Sequence, residues 1–360
     1  MTAVELEALG RERAFALLGP GFGDGAAWTL VTELSEGDGG EVGVWLAAYE
    51  TPGRRARRFK GRARPVSVGT VAAANAGAQP SPRAPLGGAA SSEVGESPGG
   101  ATPPRVSLDD GGFLDGVASI RERIAAGDVY QVNLTVRARV EAADGAALLA
   151  RLCARGEPRF AAWVRLPDGA ELVSASPELL FEVRGRAIRA EPMKGTAPAG
   201  QRAWLDASEK DRAELAMITD LLRDDLNRLC VPRSVDVPCA RRFLELPYAV
   251  QAVSDVTGTL REDVSLRDVV GQLHPGGSVT GAPREAACEI ISALERTPRG
   301  LYCGTLGLER GGDARFALLI RTAERVRDGA WTYGVGSGIT WDSDARAELD
   351  EVRLKLGAVA

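Results

Sequence analysis

The stretch "EPMKGTAPAG", from Glu191 to Gly200, places a lysine where covalent chemistry could occur. Lys194 follows an alternating, strand-like run, and its amine would be a nucleophile if a partly desolvated site kept it neutral. The same pattern also fits a solvated charge at the end of a strand. The chain has only one histidine, His274, so histidine-based triads and histidine-rich metal sites are disfavoured. Any chemistry must therefore rest on Lys, Glu, Asp, Arg or Gln.

Carboxylates on two predicted helices could form a metal site. Glu214 is near the start of "EKDRAELAMITDLLRDDLNRLC", and Glu351 is in the middle of "DSDARAELDEVRLKLG". In the second stretch Glu348, Glu351 and Lys355 are three and four residues apart, so they share one face of the helix. If the helices pack side by side, their carboxylates could bind one Mg²⁺, which needs few protein oxygens. Taken singly, each glutamate is typical of a solvated helix surface.

Hydrophobic periodicity predicts the elements that would hold these residues. Apolar residues at helical spacing predict a helix from Phe113, which Gly127 ends, and the alternation in "VYQVNLTVRARV" places Gln131 and Asn133 on one face of a strand. Further alternating stretches joined by Gly and Asp turns predict much antiparallel sheet. A long helix is predicted from the apolar stripe formed by Leu215, Ile218, Leu222, Leu226 and Leu229. The fold class is therefore α+β.

Helix-capping signals accompany both carboxylate helices. Asp211, with Glu214 three residues later, predicts a capping-box-like start for the longer helix. Ser343 or Asp344 is the predicted cap of the last helix. These signals predict where each helix begins and therefore which turn carries each glutamate.

Composition divides the chain into three segments. Residues 1–72 contain a possible strand and a basic stretch without a chemical motif, which predicts a small β-rich part. Residues 73–112 are rich in Ala, Gly, Pro and Ser with almost no large apolar residue, which predicts a flexible connector. Residues 113–360 carry all the motifs described above.

Charge and apolar content exclude several function classes. The formal net charge is −5, so there is no excess of positive charge to attract nucleic acid or an anionic membrane. No 18-residue apolar run occurs and the N-terminus has no basic start of a secretory signal, so we expect a cytoplasmic protein. The five cysteines are scattered and never in a CxxC spacing, which disfavours a disulfide framework or a zinc site.

Eight stretches, in order, resemble the sequence blocks of a known family. They are "AGDVYQVNLTVR", "SASPELLFEV", "EPMKGTAPAG", "EKDRAELAMITDLLRDDLNRLC", "HPGGSVTGAPREAACEIISALE", "RGLYCGTLGL", "LIRTAE" and "YGVGSGITWDSDARAELDEVRLK". The family is that of the chorismate-utilising enzymes, which comprises component I of anthranilate synthase and of aminodeoxychorismate synthase together with the isochorismate and salicylate synthases. The resemblance covers about Phe113 to Leu356. It implies two large antiparallel sheets packed together with helices on the outside, residues 1–72 as part of the same fold, and residues 113–360 as the chorismate-binding catalytic domain.

The resemblance also implies a binding role for individual residues. The residues similar to the family's metal ligands, which would hold Mg²⁺ against the ring carboxylate of chorismate, are Glu214, Glu351 and Glu348. The residues assigned to substrate binding are Arg321, Tyr302, Gly336, Ser337, Gly338, Gln251 and Lys355. Among these, Gly336, Ser337 and Gly338 form a glycine cluster, and their amides would contact the ring carboxylate. Arg321 and Tyr302 would grip the enolpyruvyl carboxylate, for which a guanidinium fork is suited.

Lys194 and Gln131 indicate which member of the family the chain resembles. Aminodeoxychorismate synthases have PIKGT where anthranilate synthases have PIAGT, and this chain has Lys194 in "PMKGT". In the lysine form, the resemblance implies attack of the amine on C2 of chorismate as the C4 hydroxyl leaves, and then entry of ammonia at C4. Isochorismate and salicylate synthases have a water-activating lysine at the position of Gln131, which argues against water as the nucleophile here. Glu178 matches the family's general acid near the C4 hydroxyl. Thr196 is also assigned to the catalytic residues.

One departure from the family pattern leaves alternatives open. Gln251 stands where the family usually has a histidine, so protonation of the leaving group would fall more heavily on Glu178. The chain lacks a glutaminase nucleophile block, so ammonia should come from a glutamine amidotransferase subunit or from free ammonium. The alternatives are an anthranilate or 2-amino-2-deoxyisochorismate synthase-like enzyme, and a non-catalytic paralogue that binds chorismate or the amidotransferase. The product would feed 4-aminobenzoate and folate synthesis or a secondary metabolite.

Overall fold

The computed structural model describes residues 14–23, 27–50, 55–66, 106–154, 156, 158–246, 249–357 and 359. The strands in these residues are β1 Phe15–Leu18, β2 Trp28–Glu36, β3 Val42–Ala47, β4 Arg57–Val66, β5 Gln131–Val140, β6 Phe160–Arg165, β7 Glu171–Ser176, β8 Leu179–Arg184, β9 Ala187–Ala190, β10 Met193–Pro198, β11 Asp236–Leu246, β12 Ala249–Thr259, β13 Gly281–Ala282, β14 Thr305–Arg310, β15 Asp313–Leu318, β16 Thr322–Arg325 and β17 Trp331–Ile339. The helices are α1 Asp110–Ala125, α2 Gly145–Cys153, α3 Arg202–Ala207, α4 Glu209–Leu229, α5 Leu266–Leu273, α6 Arg284–Leu294 and α7 Ala345–Leu356, with 3₁₀ turns at Pro20–Phe22 and Gly277–Val279.

The strands form one continuous antiparallel sheet. Hydrogen-bonded neighbours follow the order β13–β5–β17–β16–β7–β6–β1–β2–β4–β3–β14–β15–β8–β9–β12, and both β10 and β11 also pair with β12. A twisted sheet of this width must curl to bury its apolar faces. The predicted α+β class is confirmed. The strands were expected to form two packed sheets, but hydrogen bonds join them into one continuous sheet.

Helices cover two parts of this sheet. α6 packs on β5, α7 packs on β17, and α1 lies against both strands and against α7. α4 packs on β10 and β12. The predicted apolar stripe of α4 is confirmed as buried, from Leu215 at 1% exposed to Leu229 at 6%. This packing brings α4 and α7, the two helices that carry the predicted metal ligands, onto strands that also carry Lys194 and the glycine cluster.

The first two predicted segments are described only in part. Strands β1 to β4 lie within residues 1–72 and belong to the main sheet. Of the predicted connector, residues 73–105 lie outside the described residues. Its last residues are helical, because α1 begins at Asp110 and the Asp109 carboxylate accepts a hydrogen bond from the amide of Gly112. No helix among the described stretches is long and apolar enough to cross a membrane.

Local hydrogen bonds decide the helix starts. The predicted capping box at Asp211 is wrong, because α4 begins at Glu209 and the Ser208 hydroxyl accepts from the Asp211 amide. α7 is capped by Asp344, whose carboxylate accepts from two backbone amides. His274 is buried between the Thr305 hydroxyl at 2.8 Å and the Ala48 carbonyl at 3.0 Å, which explains it as a packed residue.

Candidate active site

A β-bulge in β10 presents Lys194. Met193 pairs with Val253 and Thr196 pairs with Gln251, so two residues of β10 face one residue of β12. The extra residue locally breaks the ladder and turns the strand, which is how bulges re-aim side chains. Gly195 adopts φ +83°, and a Cβ there would lie 2.8 Å from Leu205 Cδ1. Only glycine fits this position, which explains the Lys-Gly order of the motif.

Lys194, Gln131 and Gly338 converge on one point. A Cβ on Gly338 would lie 2.8 Å from Gln131 Nε2 and 3.3 Å from Lys194 Nζ. The Lys194 side chain is 12% exposed, and its Nζ lies 3.7 Å from Oε2 of Glu214 on α4. The three residues come from β5, β10 and β17, which are distant in sequence. Because Gly338 has no side chain, the space between the Lys194 amine and the Gln131 amide is open.

Two buried glutamines near this point are not satisfied by the protein. Gln131 is 0% exposed and Gln251 is 2% exposed. Neither amide atom of Gln131, nor Oε1 of Gln251, has a hydrogen-bond partner among the residues described. An unpaired buried polar group costs about 1–3 kcal/mol, so such groups are usually kept for a ligand or water. Gln251 lies opposite Thr196, which is exposed at the edge of the bulge.

Glu178 is a buried carboxyl group whose pKa lies near neutral pH. Burial raises the pKa of its carboxyl to about 7, and the Ser278 hydroxyl and the Lys194 ammonium oppose that rise while Glu191 adds to it. Ser278 donates a 2.7 Å hydrogen bond to Glu178 Oε1. Both protonation states are therefore accessible near pH 7, as a general acid requires. Sequence reasoning missed Ser278, although it lies in the quoted block "HPGGSVTGAP".

The carboxylates predicted as metal ligands on α4 and α7 surround a lysine. Lys210 Nζ lies 3.3 Å from Glu348 Oε1 and 3.9 Å from Glu214 Oε1. Glu348 is 4% exposed and also accepts hydrogen bonds from the Ser337 hydroxyl and, at 2.7 Å, from the Ser343 hydroxyl. Burial raises the pKa of Glu214, and Lys194 and Lys210 oppose that rise. Lys210 was also missed by sequence reasoning, because a helix-start lysine is usually solvated.

Glu351 lies at the exposed side of the same cluster. Its side chain is 49% exposed and its Oε1 lies 2.6 Å from Lys355 Nζ, which also donates 2.7 Å to the Gly336 carbonyl. Within the described residues, no three His, Cys, Asp or Glu side chains are placed to hold a metal ion together. The oxygen donors of Glu214, Glu348 and Glu351 nevertheless suit Mg²⁺ by type, and lysines supply the balancing charge where the ion would lie.

The glycine cluster has a free backbone edge. β17 pairs with β5 along its whole length, but β16 covers its other edge only at Tyr333 and Thr332. In the described part of the chain, the far edge from Gly334 to Ile339 pairs with no strand. Alternate amides of Gly336, Ser337 and Gly338 can therefore point at a ligand, and glycines let it approach closely. The resemblance predicts a carboxylate as that ligand, and this role stays a prediction.

Tyr302 and Arg321 stand on neighbouring backbone segments. The Cys303 amide donates to the Leu319 carbonyl at 2.8 Å, which joins the segment after Tyr302 to the one before Arg321. Arg321 has φ +50° and Cys303 has φ +64°, so both lie in the left-handed backbone region that residues with a Cβ rarely adopt. Tyr302 is 4% exposed, and burial raises the pKa of its hydroxyl well above its ordinary value, so it stays a neutral donor.

A cavity of about 1020 Å³ lies toward the C-terminal end of β5, lined in part by Arg137, whose guanidinium group lies 5.6 Å from the centre of the Tyr302 ring. Its lining includes Arg55, Arg57, Arg137, Arg139 and Glu324. None of the predicted site residues lines it. Volume alone therefore does not identify the reactive site, and we locate it by the convergence of Lys194, Gln131 and Gly338.

Comparisons with known proteins show which proteins the chain is similar to. The model of the chorismate binding enzyme family matches residues 25–360. The chain is 38% identical over 261 residues to anthranilate synthase component 1 3 of Haloarcula marismortui, covering 69% of this chain and 52% of that protein. It is 36% identical over 244 residues to aminodeoxychorismate synthase component 1 of Salmonella typhimurium, covering 65% and 53%. The chain thus spans about half the length of these curated relatives.

A comparison with solved structures shows that the chain shares its fold with a known protein. The crystal structure of the putative 2,3-dihydroxybenzoate-specific isochorismate synthase DhbC from Bacillus anthracis superposes with a TM-score of 0.74. The alignment covers 99% of this chain and 98% of that chain at 19% sequence identity. At this identity the likeness establishes the shared fold alone.

Proposed function

The chain belongs to the chorismate-binding enzyme family, and on that premise we propose that it is component I of an aminodeoxychorismate synthase, converting chorismate and ammonia to 4-amino-4-deoxychorismate. One observation carries the proposal. The bulge in β10 presents Lys194 to the space beside Gly338, 3.3 Å from a Cβ built there, where a ring bound to the glycine amides would lie. An amine at that position lies next to the bound ring, which a lysine on the outer surface does not.

In the proposed reaction, neutral Lys194 attacks C2 of chorismate while the C4–oxygen bond breaks. Glu178 in its acid form gives its proton to the departing hydroxyl, which leaves as water. Ammonia then attacks C4 and expels the lysine from C2, and the Glu178 carboxylate takes up the proton that the new amine releases. A carboxyl with a pKa of about 7 can serve in both directions near neutral pH.

The remaining residues bind and orient the substrate. Alternate amides among Gly336, Ser337 and Gly338 receive the ring carboxylate, and Arg321 with the neutral Tyr302 hydroxyl receives the enolpyruvyl carboxylate. The unpaired amide of Gln131 and the unpaired Oε1 of Gln251 would form hydrogen bonds with polar groups of the bound substrate, including its hydroxyl. Gln131 is neutral and cannot act as the base that would activate water at C2, which favours amination over hydration.

Mg²⁺ belongs to the same proposal, held by Glu214, Glu348 and Glu351. It would supply positive charge to the ring carboxylate. The protein's own contribution is to bring α4 and α7 together so that the buried carboxylates of Glu214 and Glu348 share one neighbour, Lys210, at 3.9 and 3.3 Å. The ammonia would come from a glutamine amidotransferase partner, and free ammonium would replace it in the assay.

A second candidate is anthranilate synthesis, favoured by the 38% identity to the Haloarcula anthranilate synthase component. It would place ammonia at C2 instead of the lysine amine. The test is to incubate the protein with chorismate, Mg²⁺ and ammonium, and to add an aminodeoxychorismate lyase. We expect 4-aminobenzoate; anthranilate or isochorismate as the product would overturn the proposal. Binding of chorismate without any turnover would identify a non-catalytic paralogue instead.

Intact-protein mass spectrometry gives the sharper test of the covalent step. With chorismate and Mg²⁺ but no ammonium, the wild-type protein should gain the mass of chorismate less one water, located on Lys194 by peptide mapping. Lys60 is an exposed lysine on β4 and serves as the internal control for nonspecific adducts. An unmodified Lys194 alongside normal production of 4-aminobenzoate would contradict lysine as the nucleophile.

A further inference from the structure

Every carboxylate proposed to hold the metal has a lysine ammonium close by. Lys194 is 3.7 Å from Glu214, Lys355 is 2.6 Å from Glu351, and Lys210 lies within 3.9 Å of both Glu214 and Glu348. Three anionic side chains are thus balanced by three cationic ones. A divalent cation entering this cluster would compete with these ammonium groups for the carboxylate oxygens.

The three lysines differ in how firmly they are held. Lys355 is tethered by its 2.7 Å hydrogen bond to the Gly336 carbonyl. Lys194 is 12% exposed and is presented by the bulge. Lys210 is 51% exposed; it lies in ion-pair distance of the Glu214 and Glu348 carboxylates and is attracted more weakly by Glu351. It is therefore the lysine that can move into solvent with the least loss of other contacts.

The position of Lys210 in α4 makes it dependent on those carboxylates. It is the second residue of a 21-residue helix, where the helix dipole disfavours a positive charge. Its local neighbours Glu209 and Asp211 are acidic, as expected for a first turn, so Lys210 is the exception. Removing the attraction of Glu214 and Glu348 would leave nothing to hold the ammonium between them.

We propose that Lys210 is an internal counter-ion that lies between Glu214 and Glu348 and swings into solvent when a divalent cation binds. This inference rests on the metal part of the proposed function. Lys210 keeps the carboxylates of α4 and α7 facing each other without mutual repulsion, and it competes with the cation for them. The metal affinity of this enzyme is therefore set partly by a residue that is not a ligand.

Calorimetric titration with Mg²⁺ alone, without chorismate, tests the competition. Lys210→Met removes the ammonium but keeps an unbranched apolar stem, and it should bind Mg²⁺ about 3- to 10-fold more tightly, given the modest strength of half-exposed ion pairs. Lys210→Arg keeps the charge and should stay near the wild-type affinity. Lys60→Met, on the distant strand β4, controls for the change in net charge. Equal or weaker binding by Lys210→Met, with an unchanged circular dichroism melt, would overturn the inference.

Lysine labelling separates this inference from the proposed reaction. Acetylation of the folded protein, read by peptide mass spectrometry, should modify Lys210 faster with saturating Mg²⁺ than without it, while the rate at Lys60 stays the same. An unchanged rate at Lys210 would contradict its release. If the wild-type protein shows no saturable Mg²⁺ binding, the inference fails, while the adduct on Lys194 still decides the proposed amination by itself.

Discussion

Lys194 Nζ lies 3.7 Å from Oε2 of Glu214, and the two side chains are only 12% and 13% exposed. This ion pair joins the strand that carries the proposed nucleophile to the helix that carries a proposed metal ligand. In the proposed reaction a cation that binds Glu214 would compete with Lys194 for this carboxylate, so we expect metal binding to affect nucleophilic attack by Lys194.

Lys194→Ala should abolish amination at C4 while the fold remains. We expect kcat to fall at least about 1000-fold, because a covalent nucleophile has no substitute in the site. The measurement is 4-aminobenzoate formation with added lyase, with the melting temperature as the check on folding. Lys60→Ala is the matched control. Turnover within about tenfold of the wild type would show that Lys194 is not the nucleophile.

Glu178 should impose a pH limit on the reaction. Burial raises the pKa of its carboxyl to about 7, so the acid form is lost above that pH and kcat should fall about tenfold per pH unit. Glu178→Gln should be slow at all pH values and should lack this limb. A wild-type rate that is flat between about pH 6 and pH 9 would argue against Glu178 as the acid.

The same carboxyl should make stability depend on pH. The folded state holds the Glu178 proton more tightly than the unfolded chain, so its contribution falls as pH rises from 4.5 to about 7. Glu178→Gln should reduce this slope. The measurement is the free energy of unfolding in urea at several pH values, and an identical slope in the variant would contradict the assignment.

Ser278 should affect the pKa of the Glu178 carboxyl. Its hydroxyl donates 2.7 Å to Glu178 Oε1 and lowers the pKa of that carboxyl, against the larger effect of burial. Ser278→Ala should therefore move the alkaline limb of the kcat profile to higher pH, with a loss of rate of about tenfold or less. Ser278→Thr keeps the hydroxyl and should keep the wild-type profile. A lower rate with an unmoved limb would mean that Ser278 has only a packing role.

Gly195 should be required for steric reasons beyond its backbone angle. Gly195 and Gly200 have nearly the same φ, +83° and +82°, but a Cβ at Gly195 meets Leu205 at 2.8 Å and one at Gly200 meets nothing within 4 Å. Gly200→Ala should cost about 1–2 kcal/mol from the left-handed backbone alone. Gly195→Ala should cost more and should also lower kcat by displacing Lys194. Equal urea midpoints for the two variants would contradict this packing argument.

Local sequence pattern predicted much of the fold. The helical spacing of the stripe from Leu215 to Leu229 is a periodic signal that burial confirms. The alternation around Gln131 predicted a strand, and β5 is that strand, but both of its faces are buried there, so burial shows no alternation. The cap of α4 was missed, because Ser208 and Asp211 were equally plausible starts from their residue types. The joining of the strands into one sheet was also missed, since it depends on pairings such as β3 with β14 that link residues about 260 positions apart.

The sequence by itself determined the family blocks and their individual letters: Lys194 before Gly195, Gln131 in place of a lysine, and Gln251 in place of a histidine. These are properties of residue type and local order, which a chain carries before it folds. Only the tertiary structure decided that Ser278 meets Glu178 across 100 residues and that Lys210 lies between Glu214 and Glu348. Such contacts, and the pKa of Glu178 that burial raises, arise from packing distant segments together and removing water from between them.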